Sequence, residues 1–191
     1  MLVRVTAAII ALAGLVPAPL PVDLEFQPRP YVVATSDGAY FFKMSPDPEA
    51  PDDRDKGFGY AFKPEVGRDN VQLWSTSGWY ADQVFLARDG KHLVRLGNWP
   101  RGSEPSKADL AVGFYESGQL LKSYSTAELI RDPSRVPRTV SHYSFLGEPA
   151  PSFASEPTLV QDALTFRLVT SDGIEYIFDV MSGSISSSRQ L

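Results

Sequence analysis

Five short turn phrases punctuate the chain between stretches rich in β-branched and aromatic residues: Ser36-Asp37-Gly38, Arg88-Asp89-Gly90, Glu116-Ser117-Gly118, Ser171-Asp172-Gly173 and Ser182-Gly183. Asp and Ser bond their own local backbone, and Gly takes the positive φ that a tight strand reversal demands. The chain is therefore expected to be all-β and antiparallel. Four hairpins are legible: 31–35 with 39–44, 84–87 with 91–96, 110–115 with 119–123, and 164–170 with 174–180. Further strands are expected at 57–63, 71–76 and 140–146. Within 164–170, Leu164, Phe166 and Leu168 alternate with Thr165 and Arg167, as a strand with one buried face requires. Ser125-Thr126-Ala127-Glu128 has the spacing of a capping box, so one short connector helix is expected before Pro133.

How the hairpins assemble is less constrained. The turns at Gly38, Gly90, Gly118 and Gly173 lie 52, 28 and 55 residues apart, which is no fixed period. A propeller repeats blades of similar length, commonly about 40 to 45 residues. A meander closing into a sandwich or irregular barrel therefore ranks above a small or partial β-propeller.

The first residues bear on location. Arg4 precedes an unbroken apolar run at 5–16 (VTAAIIALAGLV), the length of a secretory h-region and short of the roughly 20 residues a transmembrane helix needs. Pro17, Pro19 and Pro21 crowd the expected cleavage position. Residues 1–22 are thus read as a signal peptide or an uncleaved N-terminal anchor, 23–30 as a stiff Pro-rich linker, and 31–191 as a single β domain. A periplasmic or secreted location follows from that reading, with a membrane contact only if the leader is retained.

Composition narrows the chemistry. There is no Cys, which removes disulfides, thiol nucleophiles and Cys-ligated metals. The formal charge is -5, and loss of Arg4 with the leader makes it more negative still. Nucleic acid is not an expected partner, because its binding rests on neutralising phosphates. The two histidines, His92 and His142, sit in separate β segments and form no metal-binding pair. No nucleophile elbow, phosphate loop or dinucleotide fingerprint occurs. No cofactor is expected, and no catalytic residue is assigned.

Two stretches break the strand rhythm. Residues 45–56 (SPDPEAPDDRDK) gather five acids; a solvated loop is the expected state, with Asp52 and Asp55 the weak candidates for a hard cation. Residues 97–107 (GNWPRGSEPSK) place Trp99 beside Pro100 and Arg101 in a polar loop, where the indole is expected to fold back as a lid over the core, the alternative being an exposed aromatic platform. Trp79, Tyr80, Arg95, Trp99 and Arg101 are the candidate ligand-binding residues: an aromatic face for a glycan or a peptide, with an Arg to fix orientation. Trp74 lies within a strand-like run and is expected in the core. A non-catalytic binding module for protein or glycan is the leading function; the alternative is a hydrolase using carboxylates or His from different strands.

The phrases Leu73-Trp74, Gly78-Trp79-Tyr80, the run 84–95 (VFLARDGKHLVR), the run 114–125 (FYESGQLLKSYS) and the run 170–179 (TSDGIEYIFD) resemble those of secreted bacterial β-rich proteins of uncharacterised function. The resemblance implies an exported β domain and carries over no activity or site residue.

A chain beginning at Asp23 is expected to fold without the leader, visible as one cooperative thermal transition by circular dichroism. A broad, non-cooperative melt would refute the assignment of 1–22 as dispensable.

Overall fold

The computed structural model describes residues 27–147, 156–162 and 164–191. The expected leader and the first residues of the Pro-rich linker lie outside that set. Twelve antiparallel strands form three four-stranded sheets. Sheet 1 is built from β1 (Tyr31–Ala34), β2 (Phe41–Pro46), β3 (Gly57–Lys63) and β4 (Val71–Ser77). Sheet 2 holds β5 (Val84–Leu86), β6 (His92–Leu96), β7 (Leu110–Glu116) and β8 (Gln119–Ser125). Sheet 3 holds β9 (Thr158–Val160), β10 (Thr165–Val169), β11 (Ile174–Asp179) and β12 (Ile185–Gln190). In each, neighbours in sequence are neighbours in space. All four expected hairpins form, at β1/β2, β5/β6, β7/β8 and β10/β11.

The sheets stack and do not close into a barrel. Sheet 2 is the middle layer, and its strands alternate between two cores. Val84, Leu86, Leu93 and Tyr115 pack with Phe42, Met44, Ala61 and Trp74 of sheet 1. Val94, Leu96, Val112 and Phe114 pack with Phe166, Leu168, Tyr176 and Phe178 of sheet 3. A strand covered on both faces must be apolar at both parities, which is why β6 and β7 read as near-continuous hydrophobic runs. Phe114 is fully buried and lies 5.1 Å from the Phe178 ring; truncating such a side chain typically costs about 3–5 kcal/mol.

The connection between sheets 2 and 3 is the longest. It opens with one helical turn, α1 (Thr126–Leu129), where Glu128 Oε2 accepts from both Ser125 N and Ser125 Oγ at 2.7 Å, as the capping-box spacing predicted. A 3-10 turn follows at Pro133–Arg135. Asp172, 1% exposed, accepts from the backbone N–H of Arg131 and Asp132 at 2.7 and 3.0 Å, tying this connection to sheet 3. Residues 140–146, expected as a strand, make only isolated bridges, Arg138 with Tyr143 and Leu146 with Thr170 among them. Their apolar members Tyr143 and Phe145 nevertheless fill the core, so the hydrophobic signal was genuine but carried packing without a ladder.

One feature of the outer face limits the stack. On the exposed side of sheet 3, Glu175 accepts from Arg167 Nε at 2.6 Å and from Arg189 Nε. The Arg189 hydrogen bond, with that of Arg167, holds the Glu175 carboxyl below its ordinary range against the opposing effect of burial. Such a carboxylate stabilises the fold above the ordinary Glu value and loses that contribution as pH falls through its lower folded value. Glu175→Gln is therefore expected to lower the melting temperature at neutral pH, with the gap to the parent closing as the pH falls below the ordinary Glu range. A constant gap across that range would refute the ionic account.

Gly38 and Gly90 both hold φ of +69° in their turns, but their surroundings differ. A Cβ on Gly38 meets nothing within 4 Å, whereas one on Gly90 lies 2.6 Å from the Tyr40 ring. Gly38→Ala should cost about 1–2 kcal/mol from backbone strain alone, and Gly90→Ala measurably more. Denaturant midpoints compare them, and equal losses would exclude the Tyr40 clash.

Candidate functional site

The sheet 1 face of sheet 2 does not stay apolar along its length. Past Leu93 the next side chain on that face is Arg95, paired in register with Gly113. Beside it lie Tyr115, Leu120 and Ser123 from β7 and β8. Here the interface between the sheets opens into a cleft of about 630 Å³. Two loops wall it: the acidic β2–β3 loop with Asp52, Asp53, Arg54 and Asp55, and the β6–β7 loop with Asn98, Trp99, Pro100 and Arg101.

Arg95 is half-buried. Its guanidinium carbon stands 4.5 Å from the centre of the Trp79 ring, and Nη1 approaches the Tyr115 hydroxyl at 3.5 Å. Nε is buried without an acceptor, and no carboxylate among the described residues pairs with it. Trp79 itself lies over Tyr115, with ring centres 5.3 Å apart. The Trp79 ring face thus attracts the guanidinium charge that it backs. Arg54, by contrast, is engaged with Asp82.

Trp99 is 39% exposed. One face of its indole stacks on the buried His142 imidazole, with centres 4.3 Å apart and planes 25° from parallel. The loop that carries it is tied down along its length. Gly97 N–H donates to Ala111 O at 2.9 Å, and Gly97 has no room for a side chain because a Cβ would fall 1.7 Å from Leu110 O. Asn98 accepts from Asp82 N and donates to Tyr80 O, at 3.0 and 2.9 Å. Gly102 N–H reaches Ser141 O at 2.8 Å. A site fixed this way loses little conformational freedom when a ligand enters.

Of the five expected ligand-binding residues, Arg95, Trp99 and Arg101 line the cleft together. Trp79 and Tyr80 do not reach it as ligand surfaces. Both are buried, at 6% and 2% exposure, in the core between sheets 1 and 2. As adjacent residues of an extended strand, Trp79 and Tyr80 would point to opposite faces and one of them would face outward. Residues 78–80 lie outside any strand, so period two does not govern them. Asp109 is the lining residue that sequence reasoning missed; its Oδ2 accepts from the Tyr143 hydroxyl at 2.6 Å. Burial, then that hydrogen bond to Asp109, push the Tyr143 hydroxyl up to about 12. Trp74 is core as expected, donating Nε1–H to Gly90 O at 2.8 Å.

The acidic loop is shaped by local bonds. Asp47 Oδ1 accepts from Glu49 N and Asp53 Oδ1 from Asp55 N, at 2.9 and 3.0 Å. Among the described residues no three His, Asp or Glu side chains converge as a cation site, Asp52 and Asp55 included. His92 is 5% exposed and holds Asp89 Oδ2 at 2.5 Å through Nδ1, a turn-bracing role well separated in function from the cleft. Burial would raise the Asp89 carboxyl, but bonds from His92 and Lys91 together hold it below its usual value. Among the described residues no helix is long and apolar enough to cross a membrane.

No protein-family model matches this chain, and no curated protein matches it either.

Of the three indoles, Trp99 alone should respond to a neutral quencher such as acrylamide, and Trp99→Phe should remove most of the quenchable emission. Equal quenching of all three would contradict the burial of Trp74 and Trp79. Millimolar calcium is expected to leave the melting temperature unchanged. A site held a hundredfold above its dissociation constant would add about 2.7 kcal/mol, and a rise abolished by Asp52→Asn with Asp55→Asn would establish one.

Proposed function

We propose that the protein is an exported, non-catalytic β domain that binds a glycan in the cleft between sheets 1 and 2. The observation that carries this reading is the exposed indole of Trp99, braced from behind by His142 and flanked by charged side chains of both signs. A sugar ring offers a C–H face that stacks on an indole, and a rim of hydroxyls that both donate and accept. Carboxylates accept hydrogen bonds from the hydroxyls, guanidinium groups donate to the ring and hydroxyl oxygens, and the aromatic face sets the plane. Export rests on the apolar run at residues 5–16 and on nothing in the fold. A formal charge of -5 disfavours nucleic acid as the occupant.

The second reading is a carboxylate-based hydrolase, favoured by one specific arrangement: Asp109 and the acids of the β2–β3 loop reach the same cleft from distant parts of the chain. Glycoside hydrolysis needs such a pair, one carboxyl as acid and one as base or nucleophile.

The test is calorimetric titration with soluble polysaccharides, alongside a reducing-end assay on the same mixtures. Saturable binding that Trp99→Ala abolishes and Arg95→Met weakens, with no new reducing ends, supports the binding module. Reducing ends that appear with the parent chain and vanish in Asp109→Asn establish the hydrolase instead. A parent chain that ignores every glycan refutes both.

A further inference from the structure

A second cavity of about 290 Å³ lies on the other side of the β6–β7 loop. It shares Asn98, Trp99 and Pro100 with the larger cleft. Resting on the glycan reading above, we infer that the ligand is an uncharged sugar chain that crosses the 98–100 ridge, with at least one unit in each cavity.

The two cavities differ in chemistry in a way that a chain can use and a single sugar cannot. The larger one carries Arg95 and Arg101 against Asp52, Asp55 and Asp109, a mixture whose charges oppose one another across the space. The smaller one has a single carboxylate, Asp82, already engaged by Arg54. Its remaining polar groups are neutral, Gln83 and Ser144 among them, and Phe145 and Leu146 supply apolar wall. Apart from Asp82, nothing that lines the smaller cavity carries a charge, and no cation there would neutralise an anionic unit. Its occupant is therefore held by neutral hydrogen bonds and by C–H contact with apolar side chains.

The ridge is a rigid divider. Both ends of the Asn98 amide are committed to backbone partners, and Tyr143 N–H donates to Pro100 O at 3.3 Å. Trp99 stands on this divider, facing solvent on the side that His142 leaves uncovered. A chain bridging the divider gains the second cavity as an intramolecular event, at a high effective concentration set by its own linkage. A single sugar gains one cavity only.

The experiment uses the full chain and neutral probes: mono-, di- and tetrasaccharides of the β-1,4-glucose, α-1,4-glucose and β-1,4-N-acetylglucosamine series, followed by calorimetry at low and high salt. In a series that binds, affinity should rise by at least about tenfold from mono- to tetrasaccharide, the equivalent of about 1.4 kcal/mol, and should not fall with salt. Gln83→Trp, at an exposed position, should fill the smaller cavity and erase that rise. Gln83→Ala serves as the second variant and should reduce the rise if the bulkier change perturbs folding.

A tetrasaccharide no tighter than its monosaccharide overturns the bridging inference and leaves the glycan reading standing. Tighter, salt-sensitive binding of a galacturonate tetrasaccharide overturns the uncharged assignment. Silence toward every series refutes the glycan reading itself, and saturable capture of a tetrapeptide that Trp99→Ala abolishes would assign the cleft to peptides.

Discussion

Everything in this fold depends on sheet 2 being covered from both sides. Burial of Leu93 and Tyr115 against sheet 1, and of Val94 and Phe114 against sheet 3, makes the middle sheet the common wall of two cores. A chain without Cys has no disulfide to hold its layers together, so these cores do so, with hydrogen bonds between layers such as Trp74 Nε1–H to Gly90 O. The same constraint defines the cleft. Arg95 occupies a position that the pattern would otherwise give to an apolar residue, and that substitution marks where the sheet 1 core ends and solvent begins. The charge is tolerable there because Trp79 backs it and its tip faces open space.

Much of the secondary structure was legible because its signals are local. An Asp-Gly or Ser-Gly turn between alternating runs fixes a hairpin within a dozen residues, and the Ser125–Glu128 spacing fixes a helical start within four. The stacking order was not legible, for an instructive reason. Gly38 and Gly90 join the first two strands of their sheets, Gly118 joins the last two of sheet 2, and Gly173 joins the middle two of sheet 3. Spacings measured between turns that are not equivalent hide the repeat of three four-stranded meanders. The connector between sheets 2 and 3 stretches the interval further. β9, only three residues long, left too little alternation to detect.

The candidate site was half legible. The loop at 97–107 left Trp99 either a lid folded over the core, the favoured state for so large an apolar side chain, or an exposed platform, and at 39% exposure the indole is the platform. That the acids of residues 52–55 would face it across the same cleft is a consequence of how sheet 1 lies on sheet 2, which no local pattern encodes. Trp79 and Tyr80 misled because the rule applied to them holds only inside a strand. Their burial is nonetheless relevant to the cleft, since Trp79 supports Arg95 and the Tyr80 carbonyl anchors Asn98. They shape the site from underneath without touching what enters it.

A pile of sheets has no natural last member, since each new layer offers a face to the next. The Arg167–Glu175–Arg189 row supplies one. To lay a further sheet on that side, the Arg189 guanidinium, whose side chain is 71% exposed, would have to give up its water, at several kcal/mol if it is not perfectly re-paired. One acid and two bases on the outer face thus act as a terminus for the architecture, setting how many layers the protein has at that end as firmly as the apolar cores set how the layers adhere.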